Sequence, residues 1–254
     1  RGLGDVYKRQ PATQQAHLQG REVPVRPFHG GGIRVCEQEE RLQVSRWDAA
    51  ETWQVDEHEV LATGRVCDFV NDTITTPAGE RIQRQYTTHP SAVGIIALDE
   101  HDRVAVVRQY RHPVRMILVE PPAGLLDVCG EDYLAAAQRE LAEEAMLAAA
   151  DWQVLLDIVT TPGGCQEALR IYLARDLSPA PRPDGFVPEG EERLMTADWE
   201  PLDDLVAAIQ DGQCQSPTLV TGVLATALAK AQGRLDDLRP AHSPWPVMDR
   251  RRAR

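Results

Sequence analysis

No two cysteines in this chain are spaced as C-x-x-C, and the five that occur (Cys36, Cys67, Cys129, Cys165 and Cys214) are scattered and odd in number. That argues against a disulfide framework and against a zinc ribbon, and sets the expectation of a reducing, cytoplasmic setting. Long apolar runs are missing as well. None approaches the ~18 residues needed to span a bilayer, and no charged-then-apolar signal opens the sequence, so no membrane partner is expected. Positive charge is in deficit: 27 Lys and Arg stand against 39 Asp and Glu, a formal net charge of −12. A nucleic-acid partner, which requires a basic footprint to displace counterions, is therefore not expected either. What remains is an ordinary globular composition, acidic enough that any phosphate chemistry must bring its own cations.

The chain's 254 residues fit one medium domain with an appendage. Residues 1–10 share no pattern with the rest of the chain and read as a non-native scar; 11–48 are rich in Gln, Pro, Gly and Arg, so 1–48 are expected to be a disordered tail. In 49–88, strand-like runs at 65–75 and 81–88 flank the turn Pro77-Ala78-Gly79, the pattern of a small antiparallel β subdomain. More apolar, β-branched runs at 92–98 and 103–109 predict a buried hairpin, and 116–120 a short strand. A glycine-bounded loop at 123–130 leads into a helix over 131–147, where Leu134, Ala137, Leu141 and Ala145 make one apolar stripe. Strands near 154–160, 169–174 and 195–199, a polar loop at 176–192, and helices at 201–210 and 216–231 complete a main domain over 89–232. The prolines and terminal arginines of 233–254 predict a flexible tail. The alternation of hairpins and helices predicts an α/β/α sandwich with a mixed sheet rather than a doubly wound parallel one.

The chemistry is concentrated in Arg139-Glu140-Leu141-Ala142-Glu143-Glu144. Helix positions i, i+3 and i+4 share a face, so Glu140, Glu143 and Glu144 project three carboxylates from one patch opposite the apolar stripe. Like charges so placed destabilise a helix by a few tenths of a kcal/mol per pair. Hard divalent cations such as Mg²⁺ or Mn²⁺, which take carboxylate, carbonyl and water oxygens, are the natural compensators. A solvated acidic face is the bland alternative. The tight loop 122–131 favours the first reading, because it can bring a backbone carbonyl beside the same cations.

With its neighbours this stretch resembles the Nudix box, G-x5-E-x7-R-E-U-x-E-E-x-G-U, where U is bulky and aliphatic: Glu131, seven intervening residues, Arg139-Glu140-Leu141, Glu143-Glu144 and Leu147 fit it. Gly124 stands one residue too far from Glu131, and Met146 takes the place of the last glycine, at a cost of about 1 kcal/mol if the helix end is left-handed there. Flanking motifs resemble the ADP-ribose pyrophosphatase branch over roughly 53–231: Arg108 to His112, Glu120, Pro122-Ala123-Gly124, Thr161-Pro162-Gly163-Gly164, Glu167, Arg170 and Glu189-Gly190-Glu191-Glu192.

The resemblance implies hydrolysis of the pyrophosphate of ADP-ribose, or of a related nucleoside diphosphate sugar, to AMP and ribose 5-phosphate. It implies Mg²⁺ (with Mn²⁺ as an alternative) held by Glu140, Glu144 and the Ala123 carbonyl, with Glu143 as a further ligand or support. Glu131 and Arg139 become a supporting pair. Arg84, Arg111, Glu120 and Arg170 contact substrate, and the catalytic base comes from Glu192, Glu191 or Glu189. It also implies a homodimer formed through the early β region. The alternatives are a Nudix hydrolase of another nucleoside diphosphate derivative and a non-catalytic ADP-ribose sensor.

Overall fold

The computed structural model describes residues 46–183, 185, 187 and 190–252. The expected disordered tail therefore lies outside the described residues save for its end, and 46–51, set off as part of a separate unit, form neither helix nor strand.

The second unit opens with three strands, β1 (Gln54–Thr63), β2 (Asp68–Thr75) and β3 (Arg81–Thr87), in the antiparallel order β1-β2-β3. β1 has no counterpart among the expected runs, because its QVDEHEVLAT sequence is exposed along almost its whole length and carries no burial alternation. Backbone bonds tie the meander to the rest of the unit at Thr87: its N–H donates to the Gly164 carbonyl (3.0 Å) and its carbonyl accepts from the Gln166 N–H (3.1 Å).

Eight further strands complete the set: β4 (Ala92–Ala97), β5 (Arg103–Arg111), β6 (Met116–Glu120), β7 (Ala123–Leu125), β8 (Leu147–Val159), β9 (Ala168–Pro179), β10 (Thr196–Pro201) and β11 (Arg239–Pro240). They build a five-stranded sheet of order β11-β8-β9-β4-β7 and a three-stranded sheet of order β10-β5-β6. The first is mixed, since β4 and β9 run parallel while the other pairs are antiparallel. The hairpin expected from 92–98 and 103–109 does not form as a ladder. The two runs join only through the Leu98–Val104 bridge, because β4 is bonded to β9 and β7 while β5 pairs with β6 and β10. Two adjacent apolar strands satisfy a buried hairpin and a split between sheets equally well, and the sequence pattern alone does not separate them.

The helices are α1 (Tyr133–Ala145), α2 (Leu202–Gln210), α3 (Pro217–Ala231) and α4 (Pro246–Arg252). Strand alternation sends Val93, Ile95 and Ala97 to one side of β4, against Ala136, Ala137 and Leu141 of α1. Ile96 goes to the other, into a cluster with Leu219 and Val223 of α3 and Leu202 and Leu205 of α2. Helices thus cover both faces of the mixed sheet, the expected α/β/α sandwich. The approach of α3 is close enough to need glycine: a Cβ on Gly222 would sit 2.7 Å from Ile96 Cδ1.

The expectation of a flexible segment over 233–254 is corrected by the structure for its described part. β11 pairs with β8, Trp245 is 1% exposed and Met248 is buried beside it. The cause is Arg170, on β9. Its guanidinium pairs with Asp157 (Nε to Oδ1, 2.7 Å) and donates to the carbonyls of Ser243 (2.8 Å) and Pro244 (3.0 Å), with the Trp245 ring centroid 4.8 Å away. A buried charge holds only when its donors are satisfied, and the Ser243 and Pro244 carbonyls complete what Asp157 begins.

Candidate active site

Asp132 caps α1, its side chain accepting from the Leu134 and Ala135 N–H groups (2.9 and 3.3 Å). With Ala136, Ala137 and Leu141 facing the sheet, the opposite face turns Glu140, Glu143 and Glu144 toward the loop that ends at β7. The loop is held in place by backbone bonds: Ile95 N–H to the Pro122 carbonyl (2.9 Å) and Leu126 N–H to the Ser91 carbonyl (3.0 Å). Contact between loop and helix is intimate. A Cβ added to Gly124 would overlap the Glu140 carboxylate, so no other residue fits there without displacing it.

Arg139 organises the charges. Its Nε and Nη2 reach the two oxygens of Glu131 (3.0 and 3.2 Å), while Nη1 reaches Glu140 Oε1 (2.6 Å) and Glu143 Oε2 (3.0 Å). Glu131 is thus a partner of Arg139 and not merely a charge placed at the helix start. Glu144 Oε2 accepts from the Ala123 N–H (2.9 Å). Burial holds the Glu140 carboxyl above the usual carboxylate range, against the pull of Arg139. At the other end of α1, Met146 adopts the left-handed conformation (φ 55, ψ 42) that the box glycine would take without strain.

Glu140, Glu143, Glu144, Ala123 and Arg139 line one cavity of about 980 Å³, and Arg111 and Glu120 line it as well. Arg111 grips Glu120 Oε2 through Nε (2.9 Å) and Nη2 (2.7 Å). Two expected substrate contacts are not brought there. Arg170 is the buried strut described above, held away because its donors go to Asp157 and the 243–244 carbonyls. Arg84 is exposed on β3, donating to the Gln83 carbonyl (2.8 Å), and is not a wall of the cavity. Of the acidic loop, Glu189 lies outside the described residues; Glu191 and Glu192 fall on a 3-10 helix (Gly190–Leu194) whose neighbour Met195 lines the cavity, and nothing is assigned to their side chains. Sequence reasoning misses His89, Thr160 and Ser216 to Thr218 as lining residues and assigns no role to Glu167. They sit at strand ends, in loops or, for Ser216 to Thr218, at the start of α3, where sites gather, and that position is the only signal they give.

Among the described residues no three His, Cys, Asp or Glu side chains form a ready-made cation cage. Arg139 occupies the space between Glu140 and Glu143. The donor set nevertheless fits a hard divalent ion. One guanidinium serves three carboxylates, a fourth lies alongside on α1, and every available donor is oxygen. No helix among the described residues is long and apolar enough to cross a membrane.

A model of the NUDIX domain matches residues 88–219. The chain is 39% identical over 167 residues to an ADP-ribose pyrophosphatase of Mycobacterium tuberculosis, spanning 66% of this chain and 79% of that protein. It is 36% identical over 120 residues to a methanol dehydrogenase activator of Bacillus methanolicus, spanning 47% of this chain and 64% of that one. A solved structure described as an ADP compounds hydrolase superposes with a TM-score of 0.59 at 23% identity, covering 74% of this chain and all of that one, which shows the shared fold. Hydrolases of this kind generally work with divalent cations. With the box helix, its braced glutamates and the matched domain in agreement, the chain belongs to the NUDIX family of hydrolases.

Proposed function

We propose that the chain hydrolyses ADP-ribose to AMP and ribose 5-phosphate. The observation that carries this reading is the single cavity in which the three glutamates of α1 face the Arg111–Glu120 pair. The relative from Mycobacterium tuberculosis, by its description, supports the choice of substrate. Glu140, Glu143, Glu144 and the Ala123 carbonyl would hold Mg²⁺, with Mn²⁺ as a substitute. When bound, the cation supplies charge neutralisation at the diphosphate and acidifies water.

The chain's own residues do the rest. Arg111, fixed by Glu120, offers its remaining donors to a phosphate oxygen. Arg139, braced by Glu131, sets the orientation of Glu140 and Glu143, as partners behind metal ligands do. A water oxygen bonds to one phosphorus, the bridging P–O bond breaks with its oxygen leaving on the other phosphate, and the water's proton passes to one carboxylate of the 189–192 loop, for which Glu192 is the first candidate, ahead of Glu191 and Glu189. The free thiols Cys67, Cys129, Cys165 and Cys214 suit work in a reducing cytoplasm.

The test is AMP release with Mg²⁺ from ADP-ribose, run beside GDP-mannose and ATP. ADP-ribose is expected to give the highest kcat/KM; preferential turnover of either competitor would move the substrate while leaving the site.

Homodimerisation belongs to the same reading. The small β meander exposes Val55, Val60, Leu61 and Phe69, and Ile117 on β6 is 69% exposed, apolar side chains that a second copy would cover. Sedimentation at micromolar concentration is expected to show two copies, and an active monomer would sink this part.

A further inference from the structure

Beside the catalytic cavity lies a second one of about 260 Å³, which shares with it the walls His89 and Asp127. Its cation is Arg251 of α4. Nη1 of Arg251 donates to Ser91 Oγ (2.8 Å) and touches Met248 Sδ (3.6 Å). Among the described residues its Nε and Nη2 make no hydrogen bond and no carboxylate pairs with it. The guanidinium is part-buried, and burial lowers its pKa. A charge withdrawn from water without a counter-ion is costly, and an anion in the adjoining space offsets that cost.

The mount is rigid. Ser91 is fully buried with φ 77, a left-handed conformation that a non-glycine residue keeps only under constraint. Its Oγ accepts from both Arg251 and the Ala168 N–H (3.1 Å), and its carbonyl holds the box loop through Leu126. The remaining guanidinium edge matches an oxyanion. His89 stands on the shared wall, its Nδ1 accepting from the Ser91 N–H (3.0 Å) and lying 3.5 Å from Glu167 Oε1. Asp127 on the same wall opposes anions and weakens the expected affinity.

The geometry points to an anion subsite here, with Arg251 as its cation and a phosphate-class oxyanion as its ligand. Two sources share that chemistry: an extra phosphoryl group on the ribose of a substrate bound next door, and free inorganic phosphate. The first rests on the ADP-ribose reading; the second does not.

The test measures inorganic phosphate binding to the full chain by calorimetry in wild type, Arg251→Gln and Arg251→Lys. Alongside it, the ratio of kcat/KM for ADP-ribose 2′-phosphate to that for ADP-ribose is measured, with thermal melts to confirm that each variant folds. Phosphate affinity falling about tenfold or more in Arg251→Gln, with part of it kept in Arg251→Lys, supports a site for the free ion. A fall of similar size in the kcat/KM ratio assigns the site to a substrate-borne phosphate. Phosphate affinity and ratio both unchanged in a folded Arg251→Gln would overturn the proposal. If no ADP-ribose compound is turned over, the calorimetric arm alone decides, and the failure belongs to the substrate reading.

Discussion

Glu144→Gln is expected to leave the chain folded and to lower kcat for metal-dependent AMP release by about a thousandfold. The fold survives because the bond that Glu144 Oε2 accepts from the Ala123 N–H can be accepted equally by a glutamine oxygen. The charge does not survive. A ligand carboxylate facing a diphosphate site contributes several kcal/mol of transition-state stabilisation, and about 4 kcal/mol corresponds to roughly three decades in rate. The companion measurement is chelation: stripping divalent cations from wild type is expected to bring it down to the rate of the variant, and added Mg²⁺ to restore only the wild type. A variant that keeps more than about a tenth of the activity would remove Glu144 from the cation site.

The second large effect is on stability. Trp245→Ala is expected to cost about 3–5 kcal/mol, the usual range for deleting a buried aromatic ring. Trp245 is almost wholly buried against Tyr133 (ring centroids 5.1 Å apart) and lies over the Arg170 guanidinium. Its loss therefore opens a cavity and exposes the Arg170–Asp157 pair at once. In a domain of this size the corresponding fall in Tm is about 6–20 °C. A melt shifted by only a degree or two would show that residues 243–248 are a loosely held flap.

Where the sequence is legible, one physical signal dominates. The stripe Leu134, Ala137, Leu141, Ala145 locates α1 to within two residues at each end, and with it the face bearing the glutamates. Met116–Glu120 is legible with its bounds unchanged, because Pro121 and Pro122 end the apolar run. Legibility fails where the deciding partner is remote. Ala123–Leu125 reads as loop, and only its pairing with β4 makes it a strand. Arg170 resembles a ligand contact because a charge in an apolar run demands a partner, and its partners lie 13, 73 and 74 residues away. In 233–254 three prolines and a run of arginines outweigh the one residue that decides the matter, Trp245. Arg84 is drawn to the substrate by analogy with the family, and in the single chain it faces solvent.

The Arg170 strut also bears on how the chain acquires its structure as it is made. Strands β8 and β9 lie adjacent along the chain and can pair as soon as both exist, yet the guanidinium buried in β9 then has only Asp157 to face. The carbonyls that complete its shell are synthesised 73 and 74 residues later. At about 5–20 residues per second that is a delay of roughly 4–15 s. Throughout it the face of the sheet later closed by Trp245 is wet and the nascent domain is unfinished. The glutamates of α1 and the box loop precede that closure, so a nascent chain holds the residues of its chemistry before it holds the fold that keeps them in register.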